Sequence, residues 1–398
     1  MFITHDLGIV RRMADRVAVM KDGCYVEQGT ADEVFYNPQT DYTKMLLKAM
    51  PRLDQPNREG RVQLSPAPDP GEPILSVDDV AVHFPIAVGK GLFPKRKPLR
   101  AVDGVSFELR AGETLGVVGE SGCGKSTLVR AVMQLAPMKS GEVVWFGTRL
   151  DQAPANQIQG LRQEFQIVFQ DPLASLDPRM TVGESVAEPL RTHRPDLSAD
   201  DRRSQVAAIL KRVDLDPSLI NRYPHELSGG QNQRVGIARA MVLRPKMVVC
   251  DEAVSALDTS VQAQILDLLL GLQAEFGLSI IFISHDLSVV REVSHKIMVL
   301  YLGRVVELAD REAIYEDARH PYTKALIAAV PTPDPRIEKA KPRTPHIGEP
   351  PSPLDTRASL RFLPSKVVDD PDAEQYRPSL IEVTPGHWVA EFEEGAAA

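Results

Sequence analysis

Apolar positions gather into short continuous runs and helically spaced stretches. Thr114 to Val118 is a run suited to a buried strand, and after eight glycine-rich residues the chain continues as LVRAVMQL, with helical spacing. Met247 to Cys250 is a second strand-like run, ending in Asp251-Glu252, and QRVGIARAMVL ahead of it is helical in pattern. LSVDDVAVHF, ending at Phe84, reads as a strand that finishes on an aromatic. Pro51 to Pro73 is rich in Pro, Arg, Asp and Gly without apolar periodicity, which predicts a linker; a second Pro-rich stretch, Pro331 to Pro353, leads into a C-terminal extension.

The pattern also repeats. FITHDLGIVRRMADRVAVMKDG, from Phe2, matches FISHDLSVVREVSHKIMVLYLG, from Phe282, setting His5 opposite His285 and Gly23 opposite Gly303 at a constant offset of 280 positions. Register holds through Glu27 and Glu307, Tyr42-Thr43-Lys44 and Tyr322-Thr323-Lys324, to Pro51 and Pro331. The second copy follows about 200 motif-rich residues, whereas Met1 already stands opposite Ile281. The first copy is therefore expected to be the tail of a domain truncated at its N-terminal side. The expected division is a remnant over 1–51, a linker over 52–73, a complete domain over 74–331 and an extension over 332–398.

Composition narrows the class. With 43% hydrophobic and 25% charged residues the chain reads as an ordinary globular protein, and no stretch reaches the roughly 18 to 20 apolar residues that span a bilayer. The start, MFITHDLGIV, lacks a basic region ahead of an apolar core, so a cytosolic protein is expected. A net charge of −8 argues against non-specific attraction to nucleic acid or anionic lipid, so membrane contact is expected through a protein partner. Cys24, Cys123 and Cys250 are too few and scattered for a disulfide framework or a zinc site. Cys123 is read as a small side chain suited to a tight loop, with an accessible thiol as the alternative.

Gly119-Glu120-Ser121-Gly122-Cys123-Gly124-Lys125-Ser126, followed by Thr127, lies between a strand and a helix, as a phosphate-binding loop requires. Its glycines let successive backbone N–H groups point at phosphate oxygens, and the helix start adds a favourable dipole. Lys125 is expected to reach the β- and γ-phosphates of ATP, and the Ser126 hydroxyl to ligate Mg²⁺. Asp251 is expected to hold Mg²⁺ through its water shell, and Glu252 to polarise the attacking water as general base. Leu227-Ser228-Gly229-Gly230-Gln231 opens a helix and forms a second anion-binding arrangement. Phe84 is placed either to stack on the adenine ring or to pack as a half-buried strand residue.

With Gln170 in QIVFQDP, Asp258 in SALD and His285 in FISHD, these motifs resemble the ATP-binding cassette (ABC) ATPases over Ile74 to Pro331 and, through the repeat, over Met1 to Pro51. The resemblance implies a P-loop NTPase domain of α/β class, with a parallel-sheet core, an antiparallel β subdomain and an α-helical subdomain. It places the helical subdomain and a permease-docking groove around Gln170 to Glu188. It implies that Gln170 contacts Mg²⁺ and the attacking water while coupling to a membrane subunit, that His285 contacts the γ-phosphate, and that Asp258 acts across a dimer interface. It further implies that Leu227 to Gln231 caps the nucleotide of a second cassette, so that a monomer is nearly inactive.

HPYTKALIAAVP at His320 to Pro331, NRYPHELSGGQ, FQDPLASLDPRMTVGE and GEPPSP at Gly348 to Pro353 are similar to the oligopeptide and dipeptide importer branch. The repeat and the tail PGHWVA, at Pro385 to Ala390, are similar to the fused, two-cassette form of glutathione-type importers. The implied partners are a second cassette, two membrane permeases and, indirectly, a periplasmic or extracellular solute-binding protein, at the cytoplasmic face of the bacterial inner membrane, with no nucleic acid. Peptide, glutathione and nickel stay open as solutes. A soluble ABC ATPase acting on ribosomes or DNA, and an incompetent truncated product, are the competing readings; the importer-like tail and acidic charge favour transport. Two departures stand out. Leu360 and Lys366 occupy positions where many relatives carry cysteines of an iron–sulfur centre, so no iron–sulfur cluster is expected, and Ala253 replaces a usual Pro with little expected catalytic effect.

Overall fold

The computed structural model describes residues 1–4, 7–50, 61–67, 71–88, 95–331, 352, 354–355, 357–369 and 376–394. His5, most of the stretch between Pro331 and Pro353 with its GEPPSP motif, and part of the 52–73 segment lie outside the described residues.

The N-terminal segment forms α1 (Leu7–Met13), the antiparallel pair β1 (Arg16–Lys21) and β2 (Cys24–Thr30), then α2 (Ala31–Tyr36) and α3 (Asp41–Ala49). Thr30 and Thr40 start these last two helices by accepting a backbone N–H three residues on. Two long strands follow, β3 (Pro73–Val88) and β4 (Lys95–Arg110), then β5 (Thr114–Val118), α4 (Lys125–Val132), β6 (Ser140–Trp145) and β7 (Thr148–Arg149). β3, β4, β6 and β7 make an antiparallel sheet in the order β4-β3-β6-β7. Next come α5 (Ala155–Leu161), β8 (Phe165–Val168) and the helical layer α6 (Val182–His193), α7 (Ala199–Arg212) and α8 (Gly229–Met241). The chain returns through β9 (Met247–Asp251), α9 (Thr259–Phe276), β10 (Ser279–Ile283), α10 (Leu287–Val293), β11 (Lys296–Tyr301), β12 (Arg304–Asp310), α11 (Arg311–Glu316) and α12 (Pro321–Ala329). The extension adds α13 (Pro364–Asp369), β13 (Leu380–Thr384) and β14 (His387–Ala390).

The main sheet has eight strands in the order β13-β14-β12-β11-β5-β10-β9-β8, parallel from β11 to β8. Every residue of β5, β9 and β10 is buried, which is why they read as continuous apolar runs: both faces are covered. One apolar core lies against the helices, containing Val186, Leu210, Ile237 and Leu266. A second fills the space between the main and antiparallel sheets, around Leu75, Leu109, Leu128 and Trp145. Trp145 satisfies its one donor by bonding Val132 O at 3.1 Å and meets the Phe165 ring edge-on at 4.7 Å.

Three expectations shift. The helix after the phosphate loop starts at Lys125 and ends at Val132, because Gln134 turns to φ 56°. The segment from Gln170 to Thr181 is a series of turns, and the helical layer lies downstream of it. Pro172 and Pro178 oppose a helix there, and Asp171 Oδ1 ties the first turn by accepting from Leu173 and Ala174 N–H, both at 2.9 Å. The extension, for which no strands were foreseen, enlarges the main sheet, with β14 pairing antiparallel to β12.

The repeat is visible in three dimensions. Arg16 pairs with Thr30 and Lys296 with Asp310, and both hairpins shift register at the same place, between Val19 and Met20 and between Val299 and Leu300. Glu27 accepts the N–H groups of Gln39 and Thr40, as Glu307 accepts those of Arg319 and His320. Burial separates the copies: all of β11 beyond its first residue is buried, whereas only Val19 is buried in β1. β11 lies against β5 on its other edge, while among the described residues β1 pairs only with β2. Met20 and Tyr25 are accordingly exposed.

The second copy also carries a titration switch on stability. His320 is buried against Phe362 and Phe392, and burial pushes its pKa from 6.5 down to about 3. The unfolded chain takes up this proton first, so the contribution is complete above pH about 6.5 and is lost progressively as pH falls toward 3. Between about pH 7 and about pH 5 this one group is expected to remove about 2 kcal/mol, read from urea midpoints. His320→Asn, which keeps a capping acceptor without the titration, should shrink that difference by the same amount.

Candidate nucleotide site

β5, β10 and β9 lie side by side, and their carboxyl ends open into one crevice, where open parallel sheets hold ligands. The loop leaving β5 is built tightly. Gly119 has φ +150° and Gly124 φ +108°, and a Cβ on them would overlap the carbonyl oxygens of Leu300 and Ala101, so both positions demand glycine. Gly303 N–H donates to Cys123 O at 2.8 Å, bracing the loop from the β11–β12 turn. Cys123 is 4% exposed and burial pushes its thiol pKa up, so it is the small buried residue of the two readings and not an accessible thiolate. Lys125 begins α4, and its Nζ donates to Gly119 O at 2.8 Å and Glu120 O at 3.0 Å.

Ser126 and Asp251 are 125 positions apart, yet Ser126 Oγ donates to Asp251 Oδ1 at 2.9 Å. Asp251 is 4% exposed, and burial raises its pKa; the neighbouring Glu252 charge adds to this, while the Ser126 bond, Arg130 and Lys125 oppose it. A cation beside Asp251 would hold that carboxylate charged. The donor set suits Mg²⁺, a hard ion that takes a few protein oxygens and keeps waters and phosphate oxygens: Ser126 Oγ and an Asp251 oxygen would hold it, while the side chain of Gln170, the third residue expected to contact it, bonds Glu252. Bound there, it would neutralise phosphate charge.

Glu252 completes the crevice. It takes φ +48° just past β9, and its N–H donates to Ile283 O at 3.1 Å, which ties the turn to β10. Its Oε2 accepts from Gln170 Nε2 at 2.8 Å, and its Oε1 lies 3.7 Å from His285 Nδ1. Ala253, next in the turn, is 2% exposed. Gln170, Glu252 and His285, from three separate loops, thus form one constellation.

The remaining predicted residues stand elsewhere. Ser228 caps α8 by accepting from Gln231 N–H at 3.3 Å, and Gln231 Oε1 accepts Ser228 N–H at 2.9 Å. Gly230 packs against Val261 without room for a side chain, beside the start of α9. Asp258 is exposed and caps α9 through Ser260 and Val261 N–H at 3.1 and 3.0 Å. Among the described residues no hydrogen bond joins Leu227 to Gln231 with Gly119 to Thr127. Phe84 is half-buried on β3, opposite Leu99, and packs on the second core. Sequence reasoning noted Gly303 and Tyr322 only as matched positions of the repeat, and Tyr322 also within HPYTKALIAAVP, and missed that both brace the loop, Tyr322 by accepting Glu120 N–H on its hydroxyl.

The family model for the ABC transporter matches residues 102–255, and that for the oligopeptide/dipeptide transporter C-terminal region matches 26–73 and again 306–363. The chain belongs to the ABC transporter family of ATP-binding proteins. Within it, the chain falls with the oligopeptide/dipeptide branch. It is 49% identical over 320 residues to the oligopeptide transport ATP-binding protein OppF of Haemophilus influenzae, covering 80% of this chain and 96% of that protein. The OppF of Salmonella typhimurium is 52% identical over 308 residues, covering 77% and 92%. The glutathione import ATP-binding protein GsiA of Escherichia coli (strain K12) is 44% identical over 407 residues, covering 98% of this chain; the chain spans 63% of that relative's length. Among solved structures, the dimeric ATP-binding cassette MJ0796 in a post-hydrolysis state with ADP and Pi matches with a TM-score of 0.53 and 28% identity, covering 60% of this chain and 98% of that one. Among the described residues no helix is long and apolar enough to cross a membrane.

Proposed function

We propose that this chain binds MgATP on the Gly119 to Ser126 loop and hydrolyses it to power an importer of oligopeptides or glutathione. The observation that carries the reading is the Glu252 carboxylate, poised between Gln170 and His285 at the strand ends beside the Ser126–Asp251 pair. Backbone N–H groups at the start of α4 and the Lys125 ammonium bind the phosphates. Glu252 accepts the proton of a water held by Gln170, and His285 orients toward the γ-phosphate. Phe84, half-buried on β3 and packed on the second core, would offer its uncovered part to the base.

The Ser228 to Gln231 helix start and Asp258 lie together at the α8–α9 corner, an arrangement that supports capping of nucleotide in a second cassette. Residues 1–51 are the C-terminal part of a first cassette, 52–73 a linker, 74–331 the complete cassette and 332–398 an extension without an iron–sulfur centre; the matched hairpin registers and the twice-matched family model support this division. The turns after Gln170, with Phe169 and Leu173 exposed, face two membrane permeases, which keeps the protein at the cytoplasmic face of the inner membrane. A solute-binding protein acts through those permeases, and no nucleic acid takes part.

Co-expressed with the membrane subunits of a peptide importer, the chain is expected to co-purify with them and to hydrolyse ATP faster when a peptide- or glutathione-loaded binding protein is added. Co-purification with ribosomes or DNA in their place overturns the transport reading.

A further inference from the structure

The phosphate loop is gripped from a side that the hydrolytic chemistry does not use. α12 opens with His320-Pro321-Tyr322, and Tyr322 is fully buried, its ring 4.6 Å from that of Tyr301. Its hydroxyl accepts a hydrogen bond from Glu120 N–H at 3.1 Å. That N–H belongs to the peptide group joining Gly119 to Glu120. The carbonyl oxygen of the same group accepts Lys125 Nζ at 2.8 Å. A trans peptide is planar with N–H and C=O pointing in opposite directions. One rigid plane is therefore held by Tyr322 on one side and by the phosphate-binding lysine on the other.

We propose that Tyr322 is a positioning residue of the nucleotide site: its hydroxyl fixes the Gly119–Glu120 peptide plane, and with it the first turn of the phosphate loop and the placement of the Lys125 ammonium. The inference rests on the reading of this loop as an ATP site. Tyr322 is held in turn from behind. His320 Nδ1 accepts Tyr322 N–H at 3.2 Å, and the His320 ring packs edge-on against Phe362 and Phe392 of the extension, at 4.8 and 5.6 Å. Glu307 takes the His320 N–H at 3.1 Å and the buried His387 ring at 2.8 Å, joining β14 to the same point. The extension thereby bears on the phosphate loop through one helix start.

The repeat supplies an internal control. Tyr42 holds the equivalent place in α3, half-buried, with Lys21 Nζ 5.0 Å over its ring. In the 398-residue chain, Tyr322→Phe deletes only the hydroxyl; it is expected to weaken MgATP binding about five- to tenfold, the effect of one hydrogen bond. Amide exchange at Glu120 should accelerate about tenfold or more, with the unfolding midpoint nearly unchanged. Tyr42→Phe should alter neither ATP affinity nor Glu120 exchange. Unchanged affinity in Tyr322→Phe, or a loss that Tyr42→Phe reproduces, overturns the proposal. If the unsubstituted chain binds no ATP, the ATPase reading fails separately, and exchange at Glu120 still decides whether Tyr322 pins the loop. Should Tyr322→Phe fail to fold, Phe362→Leu loosens the same helix start from the extension; it should raise Glu120 exchange and weaken ATP about twofold, and no change in either overturns the idea.

Discussion

Lys125→Ala is expected to weaken ATP binding by about 100-fold or more, close to 3 kcal/mol for losing charge-assisted bonds to phosphate. Lys125 is 4% exposed, and its ammonium is held at the loop mouth by Gly119 O and Glu120 O, so among the described residues no other cation is placed to replace it there. Arg130 lies further along α4, off the loop, and the dipole at the α4 start, which remains, does not replace a full charge. The fold should survive, because α4 keeps Leu128, Val129 and Val132 in the second core and alanine favours a helix start. Isothermal calorimetry with MgATP, alongside a circular dichroism spectrum to confirm folding, measures the effect. Tight ATP binding by the folded variant would remove the central assignment.

Parts of this architecture are legible in the sequence for a physical reason. β5, β9 and β10 are buried on both faces, so each is a largely apolar run; β5 gives way to Gly119, β9 ends in Asp251-Glu252 and β10 gives way to Ser284-His285. The repeat is legible because its two copies keep the same hairpin register and bulge, which tolerates no insertion. The constellation around Glu252 is different. Gln170 lies 82 positions before it in the chain, and only the β-sheet order brings their loops together. Isolated Gln and His residues carry no pattern, so family resemblance, not periodicity, named them. β13 and β14 escaped notice because each is only four or five residues long and β13 is largely exposed, so their apolar signal is no stronger than that of a loop. Tyr322 was invisible for a further reason: a buried hydroxyl looks in sequence like any core aromatic, and its partner is a backbone N–H, which every residue but proline has.

Glu252→Gln is expected to leave MgATP affinity within about twofold of the unsubstituted chain while lowering turnover by about 100- to 10,000-fold, the range for loss of a general base. The substitution keeps shape and hydrogen bonding: the amide oxygen it introduces can still accept from Gln170 Nε2, and the turn that bonds Ile283 O uses only backbone. What is lost is the carboxylate's ability to take a proton from water. Removing that negative charge from beside the γ-phosphate also removes a repulsion, so ATP held between two cassettes should persist. Turnover must be read in the assembled pair, since the Ser228 helix start serves a neighbour's nucleotide in the proposed arrangement. Light scattering should then find an ATP-dependent dimer that decays with the unsubstituted chain and accumulates with the variant. Near-normal turnover in the assembled pair would rule out Glu252 as the base and turn attention to His285, 3.7 Å away on the next strand end.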